Sequence, residues 1–468
     1  MESARTALLL NPPGKEVYIR DYYCSKTSRT NYTFPPIDLL HAGGIFRQRD
    51  WQLAAIDAIA ENLSPERVLE RARQIDPRAV FSLVGAVSAG EDALFLPTLR
   101  QTLPDAVLIG SGDVLIEHGR QWVERGLLDA ACLDFASSSP VRYADGEREG
   151  LDDLIYRDGE EVLAGGRNPN RNVSAGRPPH ELFLAIPYRF PFARKRPFAS
   201  LLTDYGCPFR CTFCVMSGLH YHRRPLGEVA AELDGLRKAG IREFILWDQT
   251  FAVDRERGME FLGLLPEGKE QFGWTCLVRP DRIDRELALR MAAKGCHTVI
   301  MGVETAKAET LVDIKKDFTT KEVREAFALC REAGLETVAT VIVGLPGESE
   351  RDVMATMDFI RETDPDYLSV HTAIPRQGTG LRAGMIKDGL ISQSLANMDQ
   401  SGEVTAVSSN TLDAEAIVLL RRGFNRRFHM RPGYLLRTVV RRLRHPRLFL
   451  EQFRQGLVLL GRNVGWRH

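Results

Sequence analysis

From residue 198 to about residue 374 the chain alternates short apolar runs with helical stretches, and nothing else in it constrains the fold as much. The runs at 198–203, 243–247, 273–278, 298–303, 337–343 and 367–372 read as strands. Between them, apolar residues at helical spacing predict helices over 226–238, 255–265, 285–294, 321–332 and 350–362. A helix between two strands carries the chain back over the sheet, so the strands run parallel. Six such β/α units predict a partial TIM barrel, with its chemistry at the carboxyl ends of the strands. That rule gathers Asp248, Gln249, Arg279, Glu304, the turn at 344–348 and Pro375 onto one rim.

The first strand runs directly into Thr203-Asp204-Tyr205-Gly206-Cys207-Pro208-Phe209-Arg210-Cys211-Thr212-Phe213-Cys214. Cys207, Cys211 and Cys214 are three soft ligands on one tight loop. They suit three irons of a cubane 4Fe-4S cluster and leave the fourth iron open to a small molecule. The alternatives are a zinc loop completed by His220 or His222, or three incidental buried thiols. A zinc loop has no need of the polar rim. The remaining cysteines, Cys24, Cys132, Cys276, Cys296 and Cys330, lie scattered, as in a reducing compartment rather than a disulfide framework. Cys276 and Cys296 read as core thiols, with an auxiliary cluster as the alternative, while the aromatic, polar loop around Cys24 can face an active site.

Ahead of the barrel, strands predicted at 6–10, 51–56, 79–84, 106–109 and 130–134 alternate with helices at 65–74, 92–102 and 116–125. This is the pattern of a doubly wound, Rossmann-type α/β domain over residues 1–136, with ligands at Asn11-Pro12-Pro13, Asp57-Ala58, 85–88 and Gly110-Ser111-Gly112. Residues 137–197, rich in Gly, Pro, Arg and Asp, read as a linker, 198–380 as the barrel domain and 381–468 as a helical C-terminal region. From Arg421 onward there are thirteen arginines, no lysine, and Glu451 as the single acid. Leu435, Leu436, Val439, Val440 and Leu443 recur there at helical spacing. The tail reads as a cap over the barrel with a solvated arginine face, or as an interfacial helix on anionic lipid or a clamp for an acidic substrate.

Lys and Arg number 62 and Asp and Glu 62, so no whole-protein field draws the chain to nucleic acid or a membrane. The first residues lack signal-peptide features and no apolar run approaches a membrane span, so the expected location is cytoplasmic, with peripheral membrane contact only through the tail.

The cysteine spacing, the aromatic before the third cysteine and the ordered rim resemble the radical S-adenosylmethionine (SAM) superfamily. The resemblance implies that the cluster's open iron chelates SAM and that an external donor of flavodoxin or ferredoxin type reduces it to release a 5′-deoxyadenosyl radical. It implies adenine stacking by Phe213, SAM amino-group contacts from Asp248 and Gln249, and a carboxylate fork from Arg279. Glu304 would take the ribose or amino group, although Thr305-Ala306 replaces the Ser-Gly of many relatives. Gly344 and Pro346 belong to the adenine-supporting strand. Leu9-Leu10-Asn11-Pro12-Pro13, Pro35-Pro36-Ile37-Asp38-Leu39-Leu40 and Ile56-Asp57-Ala58-Ile59-Ala60-Glu61-Asn62 resemble the cobalamin (B12)-binding domain that precedes the barrel in a large subfamily. The family's D-x-H-x-x-G motif is absent here, so the resemblance implies cobalamin held without a protein histidine, or a domain kept as a structural relic. The function implied is methylation of an unactivated carbon of a small-molecule or lipid-like substrate. The alternatives are radical oxidation, cyclisation or rearrangement without methyl transfer, and, from another class, an iron–sulfur electron carrier. Methylthiolation of tRNA would need three more N-terminal cysteines.

Overall fold

The structure is a computed structural model that describes residues 5–443 apart from 22–24, 29, 169–173, 393–398 and 400–406. Cys24 and the arginine-rich stretch beyond residue 443 lie outside the described residues.

The first sheet is built from β1 (Thr6–Asn11), β2 (Gln52–Asp57), β3 (Ala79–Leu83), β4 (Val107–Ser111), β5 (Ala130–Cys132), β6 (Leu154–Asp158) and β7 (Glu161–Ala164). Their order is β2-β1-β3-β4-β5-β6-β7, the first five parallel and the last two antiparallel. Ala7 to Leu10 are wholly buried because helices cover both faces. Those helices are α1 (Ile37–Gln48), α2 (Pro65–Ile75), α3 (Ala89–Thr102) and α4 (Leu115–Glu124). The chain reverses its direction of travel across the sheet between β1 and β3, and such a switch point leaves a crevice at the strand ends.

The segment 137–197, expected as a linker, instead supplies β6 and β7 to this sheet. Gly159-Glu160 makes the two-residue hairpin turn between the paired Asp158 and Glu161, with Gly159 at φ +57°. Helix α1 also went unforeseen, because Gly43 and Gly44 interrupt its apolar pattern. A side chain on Gly44 would strike the backbone carbonyl of Ala175, so this glycine permits the later segment to cross the helix closely.

The second sheet contains β8 (Ala199–Leu201), β9 (Glu243–Leu246), β10 (Gly273–Val278), β11 (Cys296–Glu304), β12 (Glu336–Val343) and β13 (Tyr367–Thr372), all parallel and in chain order. Helices α5 (Leu226–Lys238), α6 (Arg255–Leu264), α7 (Arg285–Ala293), α8 (Thr320–Glu332) and α9 (Glu350–Thr363) form the outer layer. The 3.6-residue stripe of α8 buries Val323, Ala326, Phe327 and Cys330 against the strands, and Thr319 and Glu322 start it with a reciprocal capping box. Alternate residues of β13 point inward to a half-open interior and outward to the helices, the expected period of two.

The amino ends of the barrel strands are closed by residues 190–194. Phe192 packs edge-on against Tyr367 at the start of β13, and Phe190 continues inward to Trp247, just beyond the carboxyl end of β9. The Arg194 amide donates to Glu243 at 2.7 Å, and its side chain pairs with Glu336 at 3.1 Å. After the barrel, α10 (Gly380–Lys387) turns back onto the cysteine loop, so the barrel unit does not end at residue 380. Then α11 (Ala414–His429) buries Ile417, Phe424 and Phe428 on the barrel flank, as expected of a cap. The last helix, α12 (Pro432–Leu443), leaves Leu435 and Leu436 exposed. No helix among the described residues is long and apolar enough to cross a membrane.

Candidate active site

The cysteine loop leaves β8 and is fixed before its first cysteine. Asp204 and Tyr205 pair with Arg223 and His222 in a short antiparallel ladder. Between them and Cys207, Gly206 turns at φ +67°, where a side chain would strike the His220 carbonyl. Asp248 accepts hydrogen bonds from the amides of Thr203 (2.7 Å) and Asp204 (3.1 Å) and from the Thr203 hydroxyl. Burial, with Asp204 nearby, pushes its carboxyl up to about 7. The far side of the loop is held at Thr212, whose amide donates to Ile314 O (3.1 Å) and whose carbonyl accepts from the Leu381 amide (2.8 Å).

Cys207, Cys211 and Cys214 are free thiols at the top of this loop and feel one another electrostatically. Burial raises all three pKa values, that of Cys214 to about 12, while Lys316 pulls them down and Arg279 assists at Cys207 and Cys211. Thiolates are the ligating form, so these cations favour metal binding. Among the described residues no three His, Cys, Asp or Glu side chains converge as one metal ion would require.

Beside the cysteine loop, where Cys211 Sγ lies 3.6 Å from the Lys315 carbonyl, stands a buried ion pair. Glu304 ends β11 at φ +65°, beyond a bulge in its pairing with β12, and its carboxylate lies 2.9 Å from Lys316 Nζ. A side chain on Gly302 would strike both partners, so glycine is required beneath them. Burial alone would depress Lys316, but Glu304 and Cys211 outweigh it and hold the ammonium above its ordinary value. Lys316 also lies 5.7 Å from the centroid of the Phe213 ring. Sequence reasoning missed Lys316, because it sits in a loop between helices rather than at a strand end. The Lys315-Lys316 doublet was its only trace.

Phe213 and Glu304 line a cavity of about 180 Å³ with Thr340, Ile342, His371 and the 372–376 segment. Thr340 and His371 were also missed; the inward phase of β12 and β13 identifies them. The structure thus brings Phe213, Glu304 and the cysteine loop together, and redirects two other expected residues. Asp248 is committed to the loop backbone. Arg279 is committed to Asp281 (2.9 Å), to the Lys316 carbonyl and to the face of Phe209, 3.8 Å from its centroid. Both therefore hold the loop in place. Gln249 is half-buried beside Asp248. Gly344, at φ +88°, packs so closely on Ile417 that a side chain would clash, and Pro346 follows it in the same turn. Glu348 closes that turn, accepting from the Leu345 amide (3.1 Å) and the Thr305 hydroxyl (2.6 Å), with burial pushing its carboxyl up to about 7. The hydroxyl of Thr305, where many relatives carry serine, is thus used to hold this turn.

The crevice of the first domain is filled from within. Arg20, fully buried, donates to Ser88 Oγ (2.9 Å), Asn11 Oδ1 (3.1 Å) and the carbonyls of Pro12 and Pro13 (2.6 and 3.0 Å), and pairs with Asp92 at 2.8 Å. Where the family's histidine motif would stand, Asp57 accepts from Asn11 Nδ2 (2.8 Å) and Tyr188 OH (2.9 Å). The space left beside them is about 20 Å³. With Arg20 in this place the crevice is narrow, and a corrin seated there would displace the Arg20 side chain.

A family model for the radical SAM superfamily matches residues 202–360. An uncharacterized methyltransferase of Pyrococcus horikoshii is 27% identical over 376 residues, covering 77% of this chain and 80% of that protein. The anaerobic magnesium-protoporphyrin IX monomethyl ester cyclase of Cereibacter sphaeroides is 24% identical over 382 residues, covering 77% of this chain and 62% of its own length. Among solved structures, the radical SAM methyltransferase TsrM of Kitasatospora setae, with cobalamin and a 4Fe-4S cluster bound, superposes with a TM-score of 0.66. It is 19% identical and covers 82% of this chain and 75% of that one, a likeness of fold.

Proposed function

We propose that this chain, whose residues 202–360 are a radical SAM domain, is an enzyme that methylates an unactivated carbon of a small-molecule or lipid-like substrate. The observation that carries the reading is the buried Glu304–Lys316 pair beside the cysteine loop, with Lys316 5.7 Å from the Phe213 ring and Glu304 and Phe213 lining one cavity. Cys207, Cys211 and Cys214 would hold a 4Fe-4S cluster, and Glu304 and Lys316 would take the amino group and carboxylate of SAM. Phe213 would stack on the adenine, and the turn carrying Gly344 and Pro346 would support the adenine-binding strand from behind. With cluster and SAM bound, one electron from an external flavodoxin- or ferredoxin-type donor breaks the sulfur–C5′ bond, giving methionine and the 5′-deoxyadenosyl radical. The chain's own work is to fix that geometry and to keep water from the chamber.

The fold shared with TsrM supports cobalamin as the methyl carrier, and the relative named a methyltransferase supports methyl transfer. The closed crevice at Arg20 favours a second reading, radical oxidation or cyclisation without methyl transfer. The arginines and exposed leucines of the C-terminal helices support contact with an anionic lipid surface. Anaerobic turnover with SAM and reductant tests the readings together. Methyl transfer requires about one S-adenosylhomocysteine and one 5′-deoxyadenosine per methylated product. Formation of 5′-deoxyadenosine without S-adenosylhomocysteine would select the second reading. Alanine at the three cysteines should abolish SAM cleavage; retained cleavage would remove both.

A further inference from the structure

One buried cluster joins the strand ends of the two domains, and the proposed reaction leaves it unused. Arg376 follows β13 and lines the barrel cavity, yet its guanidinium reaches out of the barrel. Nη1 and Nη2 donate to the Ser25 carbonyl at 3.1 and 3.2 Å, and Nη1 lies 3.4 Å from Asp113 Oδ2. Asp113, just beyond β4, accepts from the Ser25 amide (3.1 Å) and hydroxyl (2.7 Å) and, at its other oxygen, from the Ala86 amide beyond β3 (2.8 Å). One carboxylate thus gathers two strand ends of the first sheet, and one guanidinium ties them to the barrel cavity. Ser25, Asp113 and Arg376 are 0, 3 and 6% exposed.

The strap that follows repeats the link. Glu117 of α4 receives the Gly378 amide (3.3 Å) and pairs with Arg382 at 3.0 Å. Gly378, at φ +73°, lies so close to Ile116 that an added Cβ would sit 2.9 Å from its Cγ2. Three residues on, the Leu381 amide holds the cysteine loop at Thr212. The strap therefore touches the first domain, the cavity and the loop that carries the cysteines. A buried ion pair is a weak source of stability, because desolvation offsets its attraction, but it does specify one relative placement.

We propose that Asp113 and Arg376 form a positioning latch through which the first domain sets the shape of the barrel cavity and so its affinity for SAM. The latch rests on the radical SAM reading of that cavity and does not require cobalamin. The test is a double-mutant cycle on the full chain with its cluster reconstituted, reading the Kd for SAM alone by equilibrium binding. Asp113→Asn lies outside the barrel, yet it should weaken SAM binding about tenfold, a typical coupling between linked sites. Arg376→Gln should weaken it to a similar degree, the double variant no further, and Arg376→Lys should restore part of the loss. A cluster EPR signal unchanged in line shape would separate repositioning from unfolding. If Asp113→Asn fails to fold, Arg376→Gln against Arg376→Lys carries the same comparison. Unchanged affinity in Asp113→Asn, or effects that add in the double variant, would overturn the latch while wild-type SAM binding leaves the enzymatic reading intact. Wild-type protein with a full cluster and no SAM binding would remove the reading and the latch with it.

Discussion

Replacing Lys316 with methionine tests the centre of the site, because methionine keeps most of the apolar stem and removes the charge together with the ammonium's hydrogen-bond donors. Lys316 is 6% exposed and 2.9 Å from Glu304, so the change leaves a carboxylate buried without its partner. Breaking a buried pair in this way costs about 3–5 kcal/mol of stability. The double variant Glu304→Gln/Lys316→Met, which strands no charge, should recover most of that. SAM affinity should behave differently. A hydrogen bond to a charged group contributes about 1.5–3 kcal/mol, so Lys316→Met should weaken SAM binding roughly 10- to 150-fold, and the double variant should not restore it. Lys316→Arg, which keeps the charge, should bind SAM more tightly than Lys316→Met. Because Lys316 also favours the three thiolates, iron should leave the methionine variant faster on dilution. Equilibrium SAM binding, thermal unfolding and iron content, measured anaerobically, cover all of these. If Lys316→Met with a full cluster binds SAM within about twofold of wild type, the loss is far below that of a charged hydrogen bond and Lys316 is not a SAM ligand.

Glu348, ordinarily near 4.5, is pushed up to about 7, so the folded state holds a proton that the unfolded state releases. Its contribution to stability is present below about pH 4.5 and is lost as pH rises through 7. Glu348→Gln should therefore be more stable than wild type at pH 8 by about 1–3 kcal/mol, with the difference shrinking toward pH 5; a pH-independent difference in denaturation midpoints would refute this. Anaerobic apoprotein should take up hydroxocobalamin only as Arg20 leaves the crevice, so Arg20→Ala should speed uptake, and the cob(II)alamin EPR should lack nitrogen superhyperfine coupling, since Ala58 to Asn62 offer no histidine. No uptake by either form would make the domain a relic. The C-terminal helices should bind anionic vesicles less tightly as salt rises, because screening acts within about 10 Å at 0.1 M ionic strength. Leu435→Glu/Leu436→Glu should weaken that binding, and equal partitioning onto neutral vesicles would refute it.

Much of this molecule was legible in its sequence because period and punctuation agree along it. The barrel strands fall within two residues of their expected bounds, since each is an apolar run closed by a polar rim residue. The cysteine spacing showed where the site begins. Side-chain direction was not legible. Asp248 and Arg279 stand at the expected strand ends, but their charges are used within the loop, which only the folded backbone reveals. Lys316 was hidden because its loop gains meaning only where it folds over β11. The strands at 154–164 carried a readable glycine turn at Gly159, obscured by the polar residues around it, and Arg20 became informative only once the switch point was assembled.

The aromatic floor at residues 190–194 makes the two domains inseparable in a practical sense. Phe192 and Arg194 belong by sequence to the segment leading out of the first domain, yet they stopper the base of the second. A fragment beginning at residue 198 would open that base to water and leave Glu243 with His297 but without the Arg194 amide. A chimera built on this barrel should therefore carry the stopper with it.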